Sequence, residues 1–424
     1  MKKNILVFPC GSEIGLEIYR SLRYSIHFNL IGASSVEDHG RFVYENYIGG
    51  LPYITDNNFI DAIREIVIKE KIDAIYPAMD SVIAELKNNE EKIGCKIIAS
   101  DKDTVNICLS KKKTYEIFDG IVNVPKIYEY TKVDSYPIFC KPNIGYGSRG
   151  AQKIENQNSL QEYILKYDDY IICQYLSGEE YTVDCFTDRH GKLLFYAPRV
   201  RKRVMNGISV DTVPYNDESN EFEHLIKSLN NTIKFRGAWF AQFKRDEKGR
   251  IFLLEVASRF AGSSSLFRGC GINFALLTLF DAFNNDVCIF KNRYNIEMDR
   301  ALNNVFKIDI KYNEVFIDFD DCLVVESKLV NTQLISFIYQ CLNNRIKVTL
   351  LSRHFGDIYK QLEHFRLTNL FDRIIHIGEK EKKSDYIDNS NSIFIDDSFS
   401  ERKDVYINCQ IPVFSVDMIE VLME

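Results

Sequence analysis

Strand and helix periods alternate along residues 1–100, give way to hairpin signals, and resume after residue 313. The apolar runs "NILVFP", "FNLIGAS", "DAIYPA" and "CKIIAS" have strand length. Between them lie the helical periods "IGLEIYRSLRY", "NFIDAIREIVIKEK" and "SVIAELKNNEEKI". Such alternation buries its apolar surface only as a parallel sheet covered by helices on both faces. The middle cannot extend that sheet. Its segments "DRHGKLL" and "RDEKGRIFLLEV" set glycine in polar turns between apolar strands, the mark of antiparallel hairpins. Helices are fewer there ("SLQEYILKY", "EFEHLIKSLNNTIK"). After "NNVFKIDIKYNE" the alternation returns, with strands expected at 315–319, 346–351, 373–377 and 392–396 and helices near 328–343 and 355–365. A chain of 424 residues exceeds one core and suggests about three domains. The expected fold class is multidomain: α/β at 1–100, α+β at 101–303, and a small α/β unit at 313–424. With no low-complexity linker, the units are expected to pack together.

Composition narrows the function. A net charge of -7 argues against binding nucleic acid by phosphate neutralisation. The eleven cysteines are odd in number and form no C-x-x-C pair, which predicts reduced thiols in a cytoplasm. The opening "MKKNILVFPCGSEIG" reads as a first strand. No run approaches the roughly 20 apolar residues that cross a bilayer, so no membrane partner is expected. The turn "PCGSEIG" lacks G-x-G-x-x-G spacing and reads as a tight strand-to-helix turn.

Two constellations carry chemistry. In "YPIFCKPNIGYGSRGAQKI" an apolar strand with Lys141 leads into a loop holding Gly145, Gly147 and Gly150. Glycines let backbone N–H groups close on phosphate oxygens while a lysine supplies counter-charge. "YIICQYLSGEEYTVDCF" follows, and then "GAWFAQFKRDEKGRIFLLEVASRF" sets Gln242 and Glu255 on paired strands, with Arg259 four residues on. Hard oxygen ligands on adjacent strands suit Mg²⁺ shared with phosphates. Together with "ASDKDTVNICLSKKKTYEIF", these pieces resemble the ATP-grasp superfamily, in the branch of the carbamoyl-phosphate synthetase large chain and carboxylate–amine ligases, over about residues 1–300. The resemblance implies a Rossmann-like pre-ATP-grasp domain (1–100) and an ATP-grasp domain (101–303). It implies that Lys111, Lys141 and the Gly145–Gly150 loop contact ATP phosphates. Gln174, Tyr175 and Leu176 would line the adenine slot, with Glu180 on the ribose. Gln242 and Glu255 would hold Mg²⁺, or Mn²⁺ in its place, and Arg259 would steady the acyl-phosphate region. The family usually has Asn two residues after its metal-bridging Glu and Pro before the Arg; here Ala257 and Ser258 stand there. The basic run "PRVRKRVMNGIS", with Arg199, Arg201, Lys202 and Arg203, is a candidate for an anionic substrate, and "SRFAGSSSLFRGCGIN" for the acceptor pocket.

The second constellation opens with "VFIDFDDCLV", where Asp318 and Asp320 sit two apart as a strand leaves the sheet. The first can act as nucleophile and the second as general acid/base once Mg²⁺ screens their repulsion. Ser352 ends the strand "KVTLLS", Lys383 lies in "GEKEKKSDYI", and Asp396–Asp397 end the strand in "SIFIDDSF". Open α/β sheets build their sites at such strand ends. The pattern resembles the haloacid dehalogenase-like phosphatases over about 313–424, in a capless form, since about thirty residues separate Asp320 from Ser352. By that resemblance Asp318 is nucleophile, Asp320 acid/base, Ser352 a phosphate ligand and Lys383 a charge partner. Asp318, Asp320, Asp396 and Asp397 would surround Mg²⁺. The family commonly has Gly-Thr after its second Asp; here Asp321–Cys322 follows.

The two resemblances together imply a bifunctional enzyme. An ATP-dependent ligase joins a small-molecule carboxylate to an amine through an acyl phosphate, and a phosphatase acts on a phosphorylated small molecule through an aspartyl phosphate. Ligases of this type often pair as homodimers. Two other readings stay open at this point: a phosphatase whose ATP-grasp portion only binds nucleotide, and a non-catalytic nucleotide sensor.

Overall fold

The computed structural model describes residues 2–145, 147–205, 207–301 and 304–423. Strand β1 (Lys3–Phe8) shows why the N-terminal sheet is parallel. Ile5 and Val7 enter one apolar cluster with Ile14, Ile18 and Leu22, while Leu6 and Phe8 enter another with Phe59, Ile63 and Val67. Both faces are thus covered, as an unbroken apolar strand requires. Strands β2 (Phe28–Ala33), β3 (Asn46–Ile48), β4 (Ala74–Pro77) and β5 (Lys96–Ile97) complete the order β3-β2-β1-β4-β5, all parallel. Connections leave β1 in opposite directions, so a crevice opens at the carboxyl ends of β1 and β4. Ser12 and Glu13 sit at one lip and Met79 and Asp80 at the other. Ser12 fixes the first lip by accepting a 3.0 Å hydrogen bond from the Gly15 N–H at the start of the helix Glu13–Leu22.

The middle holds two antiparallel sheets. Strands β6 (Ile138–Pro142), β7 (Gln152–Ile154) and β8 (Tyr170–Gln174) form the smaller, in the order β7-β6-β8. The larger comprises β9 (Glu180–Thr187), β10 (Leu193–Met205), β11 (Ile208–Pro214), β12 (Gly237–Arg245), β13 (Ile251–Ala257), β14 (Ile296–Arg300) and β15 (Asn304–Ile308). Their order is β13-β12-β9-β10-β11-β14-β15. The pleat sorts these strands by parity. Tyr181, Val183 and Cys185 of β9 and Trp239, Ala241 and Phe243 of β12 join one core. Glu180 and Thr182, with Phe240, Gln242 and Lys244, line a cavity on the other face. The expected edge of this unit at 303 lies outside the described residues. The sheet itself runs beyond that position, because β15 pairs with β14.

The C-terminal unit is a second parallel sheet. Strands β16 (Glu314–Ile317), β19 (Lys347–Ser352), β20 (Arg373–His376), β21 (Ser392–Ile395) and β22 (Val413–Phe414) take the order β20-β19-β16-β21-β22. Between β16 and β19 come the small hairpin β17 (Val324–Val325) with β18 (Leu329–Val330) and the helix Thr332–Asn343, with no inserted domain.

A polar seam locks the three units together. Arg268, 2% exposed, donates to Glu17 of the N-terminal unit at 2.8 Å, to Glu420 of the C-terminal unit, and to the Asp417 carbonyl at 2.7 Å. Asn273 donates to the Ser21 carbonyl and to Asp417, and Asn292 to the Val413 carbonyl. Burial pushes the Glu17 carboxyl above its ordinary value, with Arg268 opposing. Among the described residues no helix is long and apolar enough to cross a membrane.

Candidate active sites

A cavity of about 880 Å³ separates the two middle sheets and reaches the lips of the N-terminal crevice. Lys141 projects from β6 and donates to the Tyr115 hydroxyl at 2.7 Å and the Leu254 carbonyl at 3.2 Å. Lys111, just past the Ser110 cap of the helix Lys111–Phe118, donates to the Gly145 carbonyl at 3.1 Å. Burial holds the Lys111 ammonium below its ordinary value, while Glu255 opposes the shift. Gly147 and Gly150 both take positive φ. A methyl built on Gly207, just past the β10 end, would lie 2.4 Å from the Gly147 carbonyl oxygen. The glycine loop and the β10–β11 hairpin therefore touch backbone to backbone. Gln174, Tyr175 and Leu176 line the cavity at the end of β8. Glu180 also lines it, with its carboxylate paired to Arg201 and, at 3.7 Å, to Lys244.

Gln242 and Glu255 stand directly opposite each other in the β12–β13 register, followed by a bulge, and both face the cavity. Their side-chain oxygens and the two lysines form a donor set suited to a magnesium nucleotide, in which phosphates supply the remaining oxygens. Ala257 adds no ligand; it is buried with Phe240 and Ala261. The protein oxygens at this point suit one ion, shared with phosphate.

Arg259 reaches the same cavity from the loop after β13. Its Nε and Nη2 donate to the two oxygens of Asp80 at 2.9 and 2.6 Å, and Nη1 donates to the Phe260 carbonyl at 3.2 Å. Among the described residues, three of its five guanidinium N–H groups are thus engaged. The outer edge keeps one on each terminal nitrogen, a fork that fits a carboxylate or phosphate.

The structure divides the basic run. Lys202 pairs with Glu297 and Asp211, and Arg203 with Asp299. Arg199 and Arg201 do line the cavity, but each already has a carboxylate. Arg199 donates to Asp184 at 2.6 Å, both 1% exposed, and Arg201 pairs with Glu180. The strand pairing that sets these acids opposite the run neutralises it.

In the C-terminal unit the side chains of Asp318, Asp396 and Asp397 converge, with one oxygen of each within 4.8 Å of the others. Lys383, 2% exposed, lies 2.8 Å from Asp318 and donates to Asp396 at 2.6 Å. Burial alone would lower the Lys383 ammonium, but Asp318 and Asp396 outweigh it and hold it above its ordinary value. Burial, then repulsion from Asp318, raises the Asp396 carboxyl; the same causes with Asp321 push Asp397 up to about 6. Carboxyls under that strain are relieved by a cation. Ser352, 1% exposed at the β19 end, has a hydroxyl with no hydrogen-bond partner among the described residues. A buried hydroxyl left unpaired beside a carboxylate cluster fits a site that awaits an oxygen-rich ligand.

Asp320 departs from the expectation that it joins the metal ligands. Its side chain lies outside the converging three and is turned to His354, whose Nδ1 lies 2.9 Å from both carboxylate oxygens. The substitution at 321–322 also has a local reason. Asp321 sits at φ 51°, where glycine is at ease and Asp tolerable, and Cys322 is fully buried in the core.

Comparison with known proteins meets the first site. The profile of the family described as "ATP-grasp in the biosynthetic pathway with Ter operon" matches residues 166–301, from before β9 through β14. That stretch is similar to the ATP-grasp superfamily. The chain is 24% identical over 288 residues to the carbamoyl phosphate synthase large chain of Thermoplasma acidophilum, covering 60% of this chain and 27% of that one. It is 34% identical over 102 residues to the D-alanine–D-alanine ligase of Pseudothermotoga lettingae, covering 21% of this chain and 32% of that one. The chain thus spans about a third or less of these relatives. A solved structure of the biotin carboxylase domain of Hydrogenobacter thermophilus 2-oxoglutarate carboxylase, with MgADP, shares the fold. Its TM-score is 0.60 at 15% identity, covering 71% of this chain and 74% of that one.

Sequence reasoning missed Asp80 in the cavity between the middle sheets, and it missed His354. Both carried a signal: Asp80 follows the strand "DAIYPA" and His354 the strand "KVTLLS", each at the carboxyl edge where such sheets place sites.

Proposed function

We propose that the chain is a two-site enzyme: an ATP-dependent carboxylate–amine ligase joined to a magnesium-dependent phosphatase. The observation that carries the ligase reading is the single cavity in which Lys111, Lys141, Gln242 and Glu255 face the free edge of Arg259. The glycine loop and the lysines would bind the ATP phosphates, Leu176 and Tyr175 the base, and Glu180 the ribose. Gln242 and Glu255 would hold Mg²⁺, which supplies charge neutralisation at the phosphates. A substrate carboxylate oxygen attacks the γ-phosphorus and the bond to ADP breaks. An amine nitrogen then attacks the acyl carbon, expels inorganic phosphate and loses its proton. Arg259 holds the carboxylate or its phosphate through both steps, and Asp80 keeps Arg259 in place. The D-alanine–D-alanine ligase and carbamoyl phosphate synthase relatives support this class.

Phosphate release from ATP against a panel of carboxylates and amines tests it. A dependence on both, lost in Glu255→Gln, is expected; release that ignores every pair refutes the ligase. Ala257 favours the second reading, nucleotide binding without ligation. It predicts ADP binding by calorimetry together with no amine-dependent turnover.

The phosphatase reading rests on the unpaired Ser352 hydroxyl beside the Asp318–Lys383–Asp396 cluster. Asp318 would attack a phosphoester while Asp320 gives its proton to the departing oxygen. Water, losing a proton to Asp320, would then free phosphate from Asp318. Ser352 and Lys383 would hold phosphate oxygens, and Asp318, Asp396 and Asp397 would hold Mg²⁺. Hydrolysis of p-nitrophenyl phosphate that survives in Asp318→Asn refutes this assignment.

A further inference from the structure

We propose that His354 is a positioning residue for the phosphatase site: it holds the Asp320 carboxylate in the orientation from which that group exchanges its proton with the leaving oxygen and with water. The inference rests on the phosphatase reading above. Among the described residues His354 is the one side chain bonded to the Asp320 carboxylate. Its side chain is 43% exposed, so its rotamer is free unless something fixes it.

The His354 ring is itself tightly held, with its side chain 11% exposed. It packs edge-on to Phe319 at 5.2 Å between centroids and 74° between planes, and Phe319 is buried in the core. The His354 carbonyl accepts from His376 Nε2 at 2.7 Å, which pins the backbone of the same loop to the β20 end. From that fixed ring Nδ1 lies 2.9 Å from both Asp320 oxygens. In the tautomer with the proton on Nδ1, the ring donates to this carboxylate. It can keep donating when Asp320 is protonated on one oxygen, because the other still accepts. The same contact therefore serves the acid half and the base half of turnover with no change in His354. Each carboxylate oxygen retains a lone-pair direction for substrate or water. A carboxylate held in this way is oriented before the phosphoester arrives, the condition under which proton transfer in a site is efficient.

The experiment uses the full chain with Mg²⁺ and two esters, p-nitrophenyl phosphate and phenyl phosphate, whose leaving group depends more on an acid. His354→Ala is expected to lower kcat for phenyl phosphate about 30-fold and for p-nitrophenyl phosphate about 3-fold, with KM little changed, less than the 10²–10⁴ that acid–base catalysis contributes as a whole, because Asp320 itself remains. His354→Asn, whose amide nitrogen falls near the place of Nδ1, is expected to recover most of the rate and guards against a folding defect. In the Asp320→Asn background, His354→Ala should cost nothing further, because its effect runs through Asp320. Equal losses on both esters, no recovery in His354→Asn, or a full additional loss in the double variant each overturn the assignment while the phosphatase stands. A wild type inert toward both esters overturns the phosphatase reading and this assignment with it.

Discussion

Arg268→Met severs the seam at its centre while keeping most of the side-chain volume. In the folded protein it leaves Glu17, 3% exposed, as a buried carboxylate without its guanidinium, and it strips Glu420 and the Asp417 carbonyl of a donor. Breaking one partner out of a buried pair costs about 3–5 kcal/mol. The loss falls on contacts between units, so it should appear as local opening. At the lower figure, amide exchange in the helix Glu13–Leu22 and in the segment Ile419–Leu422 should accelerate about 100-fold, at 1.4 kcal/mol per factor of ten. The centres of β1 and β16 should exchange at their former rates.

The pH dependence has a fixed sign. Burial already raises the Glu17 carboxyl, and removal of Arg268 takes away the main opposing influence. The folded variant then retains a proton that the unfolded chain releases, so stability falls as pH rises from the ordinary carboxylate value toward the raised one. The defect should therefore shrink at pH 5 and grow at pH 8, and Glu17→Gln in the same chain should remove that slope. Hydrogen exchange that quickens in only one of the two segments, or in neither, refutes the seam as the tie between units.

Other outcomes follow from the same geometry. Ser352→Ala should leave thermal stability unchanged or slightly higher, because it deletes an unpaired buried hydroxyl. If the proposed phosphatase reading holds, the same variant should lower kcat/KM toward p-nitrophenyl phosphate by about tenfold or more, the contribution of a hydrogen bond to a charged group. Gly207→Ala forces a methyl against the Gly147 carbonyl at φ 78°, and calorimetry should find ADP bound about tenfold more weakly, a cost in the range of one strained residue. Ala257→Asn restores an amide beside Glu255 and should lower the magnesium concentration for half-maximal ATP turnover, read by phosphate release. If turnover stays nil at every magnesium level, the nucleotide-binding reading gains.

Elements whose identity is set by local pattern were legible. The Ile5–Phe8 run and the Val315–Ile317 run alternate between two cores, as fully apolar strands must, and glycine turns marked the hairpins. Gln242 and Glu255 could be expected on facing strands because one short turn joins them. Residues joined through packing across the chain were not legible. Asp80 meets Arg259 from 179 positions away, and Asp184 and Glu180 cancel the charge of Arg199 and Arg201 only once β9 lies beside β10. Asp320 is drawn from the acidic cluster by a histidine on another strand end, which no spacing within "DFDD" reveals. The antiparallel sheet outran its expected edge because β15 belongs to it through its antiparallel pairing with β14, a contact that no Gly-marked turn signalled.

The contact between Gly147 and Gly207 bears on the order of events in a ligation. In the ligase proposed above, the glycine loop would close over the nucleotide, and the hairpin that meets it, with Gly207, Ile208 and Ser209 on the cavity wall, would stand beside the acceptor. Lifting the loop would break that contact. A ping-pong cycle, in which ADP departs before the amine arrives, would open both halves at once and expose the activated carboxylate to water. A shared seat instead favours a ternary complex, in which both co-substrates are enclosed before phosphate moves and all products leave in a single opening.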